Sequence, residues 1–175
     1  MGRVYKVLVT GPFNAGKTEF TRTISDIPIV TTERRISDHF KSTKDETTVA
    51  MDYGQVRLKT GRNSDLFHLY GTPGQPRFDF MWDILSKEMH AFVVLVDSYD
   101  REGLLEAKRM IRLFRRKGRV PYLVAANKQD VDNALPAEEI GKVLRLDENT
   151  PVVPCVATDS DSVRNVLEEL RKLLD

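Results

Sequence analysis

The apolar run Val4-Tyr-Lys-Val-Leu-Val-Thr10 breaks directly into Gly11-Pro-Phe-Asn-Ala-Gly16-Lys17-Thr18, and no other stretch constrains the fold as tightly. The segment fits the G-x-x-x-x-G-K-[ST] pattern of a phosphate-binding loop. That pattern needs a buried strand, a turn and a helix N-terminus in immediate succession. Backbone N–H groups from Asn14 through Ala15 and Gly16 to Thr18, with Glu19 next in the same first turn, can then converge on phosphate. The positive end of the helix dipole adds to that attraction. Lys17 supplies a point charge toward the β- and γ-phosphates, and the Thr18 hydroxyl suits Mg²⁺. Gly11 permits the turn, and Gly16 lets backbone approach phosphate with no Cβ in the way. The loop implies a nucleotide and leaves the base open.

A second apolar run, Val120-Pro-Tyr-Leu-Val-Ala-Ala126, ends in Asn127-Lys128-Gln129-Asp130. At such a strand end the Asp130 carboxylate can accept hydrogen bonds from guanine N1–H and its 2-amino group. Adenine offers neither donor, so the carboxylate would be buried unpaired, and sites of this kind discriminate by roughly 10⁴–10⁵. Asn127 and Lys128 would brace the loop, with the Lys128 stem over the base plane. The pair of motifs points to a guanine nucleotide.

Apolar runs alternate with helix-period segments, which predicts α/β layering around a six-stranded, mostly parallel sheet. Strands are expected at 4–10, 49–59, 65–70, 91–97, 120–126 and 151–156, and helices at 17–25, 76–88, 102–117, 136–145 and 160–174. The turn-rich linker Thr60-Gly-Arg-Asn-Ser64 suits an antiparallel hairpin between the second and third strands. Ligands of open α/β sheets bind outside the carboxyl ends of the strands. The loops at Gly11, Asn127 and Cys155 would therefore converge.

At 175 residues the chain fits one domain, spanning 1–175. Its 27 basic and 26 acidic residues balance, so no pull toward nucleic acid or membrane is implied. A single cysteine, Cys155, fits a reducing compartment, and its apolar neighbours suggest an inert thiol. No apolar run approaches the ~18 residues of a membrane span, and neither end carries a leader or lipidation pattern. The expectation is a cytoplasmic protein with no direct membrane anchor.

With these motifs assembled, the chain resembles a small GTPase of the Ras superfamily along its whole length. Thr47-Thr48-Val-Ala-Met-Asp52-Tyr-Gly54 and Leu69-Tyr-Gly71-Thr-Pro-Gly74-Gln75-Pro-Arg77-Phe78 look most like the prokaryotic branch that includes MglA and the conservon GTPases. The resemblance implies the Ras-like P-loop fold, GTP and GDP binding with Mg²⁺, slow GTP hydrolysis, and often a roadblock-type partner. It implies Thr48 as the switch-I ligand of Mg²⁺, with neighbouring Thr47 open as a substitute. It implies Gly74 as a γ-phosphate contact and Gln75 as the residue that orients the attacking water. Val156-Ala157-Thr158 lines up with the loop whose alanine N–H reaches the guanine oxygen.

Three features depart from the superfamily pattern. Gly71 stands where Asp-x-x-Gly has its aspartate, and Asp52, opposite it on the expected hairpin, is either a substitute or an edge-strand pairing charge. Phe13 occupies a position that is glycine in Ras, crowding the space beside the γ-phosphate. Ile24 to Thr48 is long and charged, so its course is unreadable. A non-hydrolysing guanine-nucleotide-dependent scaffold is the competing reading. A phosphoryl-transfer kinase is disfavoured by the Asn127–Asp130 and Gly74-Gln75 motifs. Phe80, off the face shared by residues 78, 81, 82 and 85, is a candidate partner contact.

Overall fold

A computed structural model describes residues 2–37, 46–72, 87–117 and 120–175. Seven strands form one sheet: β1 (Val4–Thr10), β2 (Val30–Ser37), β3 (Glu46–Thr60), β4 (Asn63–Gly71), β5 (Ala91–Asp97), β6 (Tyr122–Asn127) and β7 (Val152–Pro154). The described helices are α1 (Lys17–Ile24), α2 (Arg101–Lys117), α3 (Ala137–Leu144) and α4 (Ser160–Lys172). Strand order is β2-β3-β4-β1-β5-β6-β7. Pairing is parallel from β4 through β7 and antiparallel across β2-β3-β4.

The central strands are apolar along their length because both faces are covered. On β5, Val93 and Leu95 join a core with α1 and α4 that includes Phe20, Ile24, Val163 and Leu167. The alternate residues Val94 and Val96 join a second core with Leu104, Ile111 and Ile140 of α2 and α3. Side chains of a strand point to opposite faces in turn, so one continuous apolar run fills both layers. The result is the expected three-layer α/β fold.

Two expectations change. Among the described residues the sheet has seven strands rather than six, because Val30–Ser37 forms β2 inside the charged segment whose course the sequence hid. Glu33, Arg34 and Arg35 break the apolar alternation, and β2, the last strand of the sheet among the described residues, tolerates such charges as edge strands do. The expected helix 76–88 lies outside the described residues up to 86, and residues 87–88 form a turn. The β3–β4 hairpin closes more tightly than the five-residue linker suggested: Thr60 pairs with Asn63 around Gly61 and Arg62. Gly61 sits at φ 59°, the left-handed conformation such turns need.

Phe20 anchors α1, and with it the end of the phosphate loop, to the sheet; its side chain is fully buried. Phe20→Ala should cost about 3–5 kcal/mol. Urea unfolding monitored by circular dichroism measures it; a loss below about 1 kcal/mol would contradict this anchoring role.

Candidate functional site

The carboxyl ends of β1, β4, β5 and β6 open on a cleft of about 1270 Å³, lined by residues that include Phe13, Lys17, Thr18, Asp52, Gly71 and Lys128. Its floor is the turn after β1. Gly11 lies at φ 146°, and a Cβ there would fall 2.0 Å from the Leu95 carbonyl oxygen, so the strand exit admits no side chain. Ala15 N–H donates to Pro12 O (3.2 Å), which closes the turn, and Asn14 is left-handed at φ 60°. Gly16 begins α1 at φ 99°, and a Cβ there would meet Asn127 Nδ2 at 2.5 Å. Beyond it, the first-turn N–H groups of α1 face the cleft, as helix N-termini leave them without intrahelical acceptors.

Asn127 joins the two motifs. Its Nδ2 donates to Ala15 O and its Oδ1 accepts from Ala157 N–H, both at 2.8 Å, and the residue is buried. One side chain thus holds the phosphate loop, the end of β6 and the loop after β7 together. The Ala157 N–H, which the resemblance assigns to the base oxygen, serves this clasp in the structure. Val156 N–H donates to Ser162 Oγ (2.8 Å), and Asp159 caps α4 by accepting from the N–H groups of Asp161 and Ser162. Thr158 is exposed beside them.

Lys128 adopts φ 62°, and its ammonium reaches Asp97 at 2.5 Å. Gln129, to which no role was assigned from sequence, braces the base loop. Its Nε2 donates to Ser98 Oγ (2.7 Å) and Leu135 O (2.9 Å), and its N–H to Cys155 O (3.2 Å). Asp97 and Gln129 were legible only as a strand end and a motif spacer. Asp130 follows on the exposed end of the loop. Burial pushes the Cys155 thiol up to about 12, so it stays protonated at neutral pH, as its apolar neighbours implied.

On the phosphate side Lys17 Nζ donates to Gly11 O (2.9 Å) and Pro12 O (2.7 Å). Burial lowers its pKa to about 8, with the Asp52 carboxylate acting against that shift. Glu19 pairs with Arg22 at 2.7 Å. Thr18 Oγ1 donates to Asp52 Oδ2 at 2.6 Å. That approach depends on Gly54, where a Cβ would meet Thr21 Cγ2 at 2.8 Å and Ser25 Oγ at 2.9 Å. With no side chain there, α1 lies close to β3, and Thr18, about one turn before Thr21, meets Asp52, two residues before Gly54.

Thr48 is not brought to this point. It pairs with Arg35 in the β2–β3 ladder, four strand residues from Asp52, or ~13 Å along the strand. Thr47 pairs with Ile36 beside it. Gly74 and Gln75, with Arg77, Phe78 and Phe80, lie outside the described residues.

The strand–loop–helix floor, the lysine at the helix start and the second loop clasped to it define a P-loop protein of the Ras-superfamily type. The sequence pattern of the ADP-ribosylation factor family matches residues 1–174, and the chain belongs to that family. Human ADP-ribosylation factor-like protein 4A is 33% identical over 130 residues, which cover 69% of this chain and 64% of that protein. Bovine ADP-ribosylation factor-related protein 1 is 32% identical over 143 residues, covering 78% and 65%. The chain therefore spans just under two thirds of the length of these relatives. The superfamily expected from the motifs is the one found, with the family now specified as that of the ADP-ribosylation factors.

The lowered pKa of Lys17 has a signed consequence. Between about 8 and the ordinary 10.5, the unfolded chain keeps a proton that the folded chain has released. This group therefore makes the ligand-free protein gain stability as pH rises through that window. Urea midpoints at pH 7.5 and 9.5 should show the parent rising relative to Lys17→Met; parallel midpoints would refute the assignment.

Proposed function

We propose that this protein is a guanine-nucleotide switch that binds GTP and GDP with Mg²⁺ and hydrolyses GTP to GDP and phosphate, slowly when alone. The observation that carries the reading is the Asn127 clasp, which fixes a base-reading loop at a set distance from a phosphate-binding turn. Asn14 to Glu19 hold the phosphates, Lys17 neutralises their charge, and Asp130 reads the base. Lys128 lies over the base plane, and the 156–158 loop closes its edge. Mg²⁺, when bound, would supply a compact positive charge to the phosphates, and Thr18 in both nucleotide states and Thr48 in the GTP state would hold it. For Thr48 to reach Thr18, the end of the β2–β3 ladder, where Glu46–Thr48 pair with Arg35–Ser37, has to open. The γ-phosphate would thus be linked to the conformation of this hairpin.

Gln75 orients the attacking water and Gly74 contacts the γ-phosphate in this reading, as the Gly71–Phe78 motif implies. The same motif and Thr47–Gly54 support placement near the prokaryotic MglA-like and conservon-type GTPases. A roadblock-type regulatory protein docking through Arg77 and Phe80 in the GTP state completes the proposal, with a cytoplasmic location. Among the described residues no helix is long and apolar enough to cross a membrane.

The competing scaffold reading draws on Phe13, two-thirds exposed at the lip of the cleft, and on the missing carboxylate at Gly71. Single-turnover phosphate release, with and without a roadblock-type partner, separates the two. No release in either condition would favour the scaffold. Identification of the nucleotide that copurifies with the chain tests the broader reading, and a bound adenine nucleotide would end it.

Asp130→Asn should weaken GDP binding by roughly 30- to 1,000-fold, about 2–4 kcal/mol, because an amide presents a donor to a donor. Fluorescent GDP titration measures this, and unchanged affinity would remove the base assignment. Gln75→Leu should lower the stimulated turnover rate while leaving GTP affinity near the parental value. An equal loss of binding and rate would point to damage to the fold instead.

A further inference from the structure

Resting on the nucleotide reading above, we propose that Asp52 supplies the carboxylate of the Mg²⁺ site, in place of an aspartate at position 71. A threonine hydroxyl that gives a lone pair to a cation must send its proton to an acceptor. For Thr18 that acceptor is Asp52 Oδ2, at 2.6 Å. The β3–β4 register sets Asp52 directly opposite Gly71. A Cβ at Gly71 would lie 3.4 Å from Asp52 Cβ and 3.9 Å from Asp52 Oδ2, so the two strand positions border the same spot. Both line the cleft that also holds Lys17 and Thr18.

The other carboxylates bordering the cleft point elsewhere where their partners are seen. Asp97 is held by Lys128 at 2.5 Å and Glu19 by Arg22 at 2.7 Å, while Asp100 Oδ1 accepts from Glu102 N–H at 3.1 Å. Among the described residues no group of three acidic, histidine or cysteine side chains is placed to hold a metal. That suits Mg²⁺, which takes one or two carboxylates and completes its shell with water and phosphate oxygens. The alternative role for Asp52 is structural, a hydrogen bond that ties α1 to β3.

Asp52→Asn separates these roles, because the amide oxygen still accepts from Thr18 while the charge is gone. The full chain is loaded with fluorescent GDP, and nucleotide release is followed as free Mg²⁺ is lowered with chelator. The free Mg²⁺ that half-protects the complex should rise at least tenfold in Asp52→Asn, with the melting temperature of the nucleotide-free protein close to the parent's. Adding Gly71→Asp to this variant should restore most of the Mg²⁺ dependence. A parental Mg²⁺ requirement in Asp52→Asn, or a double variant no better than the single, would overturn the assignment. So would a parent that holds GDP with no Mg²⁺ dependence. A parent that binds no guanine nucleotide would overturn both this assignment and the reading beneath it.

Discussion

The buried Asn127 side chain is the contact on which the rest of the site depends. Its amide satisfies a carbonyl of the phosphate loop and an N–H of the loop after β7 together. Both partners are backbone groups in places that water does not reach, where an unpaired polar group costs about 1–3 kcal/mol. Removing the amide would orphan both at once. Gly16 belongs to the same contact, since any larger residue would occupy the space of Asn127 Nδ2. The glycine of one motif and the asparagine of the other are therefore one steric solution. Their distant positions in sequence become adjacent because β1 and β6 flank β5.

The cleft is shaped as much by missing side chains as by present ones. Gly54 lets α1 settle against β3, and Gly71 leaves the opposite strand position bare. In that small space Thr18 and Asp52 meet with a single hydrogen bond between them. Lys17 lies close enough for the carboxylate to hold part of its charge against the cost of burial. A positive and a negative group sit side by side where, on the proposed function, phosphate and a divalent cation would share one pocket. The same arrangement serves the ligand-free chain by leaving neither charge isolated.

Most of the parallel half of the fold was legible because a strand covered on both faces writes a continuous apolar run. β1 and β5 fell on their expected residues, and α2 and α3 within a residue at each end. The two motifs stand out in the sequence because phosphate and base recognition would leave few alternatives at those spacings, and the structure joins their loops through Asn127. β2 was hidden for a physical reason: an edge strand need not be apolar, and Glu33-Arg34-Arg35 carry no core signal. Gln129 was hidden because its partners Ser98 and Leu135 come from other loops, which no local pattern encodes. Asp52 was visible as a charge in a strand, but its meeting with Thr18 required the helix-to-strand distance that Gly54 sets. The threonine expected to complete the metal site, Thr48, lay just outside the strand expected at 49–59; β3 in fact begins at Glu46 and carries Thr48 apart from Thr18. Sequence spacing carries no information on how far the β2–β3 ladder extends toward Glu46.

Placing the metal's carboxylate at Asp52 has a mechanical consequence. An aspartate at the end of β4 would be positioned by the loop that follows it. Asp52 lies within β3, paired with Thr31 on one side and Gly71 on the other. Its position is set by the register of two antiparallel ladders at once. A slip of two residues preserves the face but carries the carboxylate ~7 Å along the strand, away from Thr18. A slip of one turns it to the other side of the sheet. On this assignment, charge at the metal position and register of the hairpin would be a single variable, and the same strand carries Thr48 near its start at Glu46. On the proposed assignment, a nucleotide that held the cation would also favour one register of β3. The antiparallel half of the sheet, the part least constrained by apolar sequence, would then be the part that reports which nucleotide is bound.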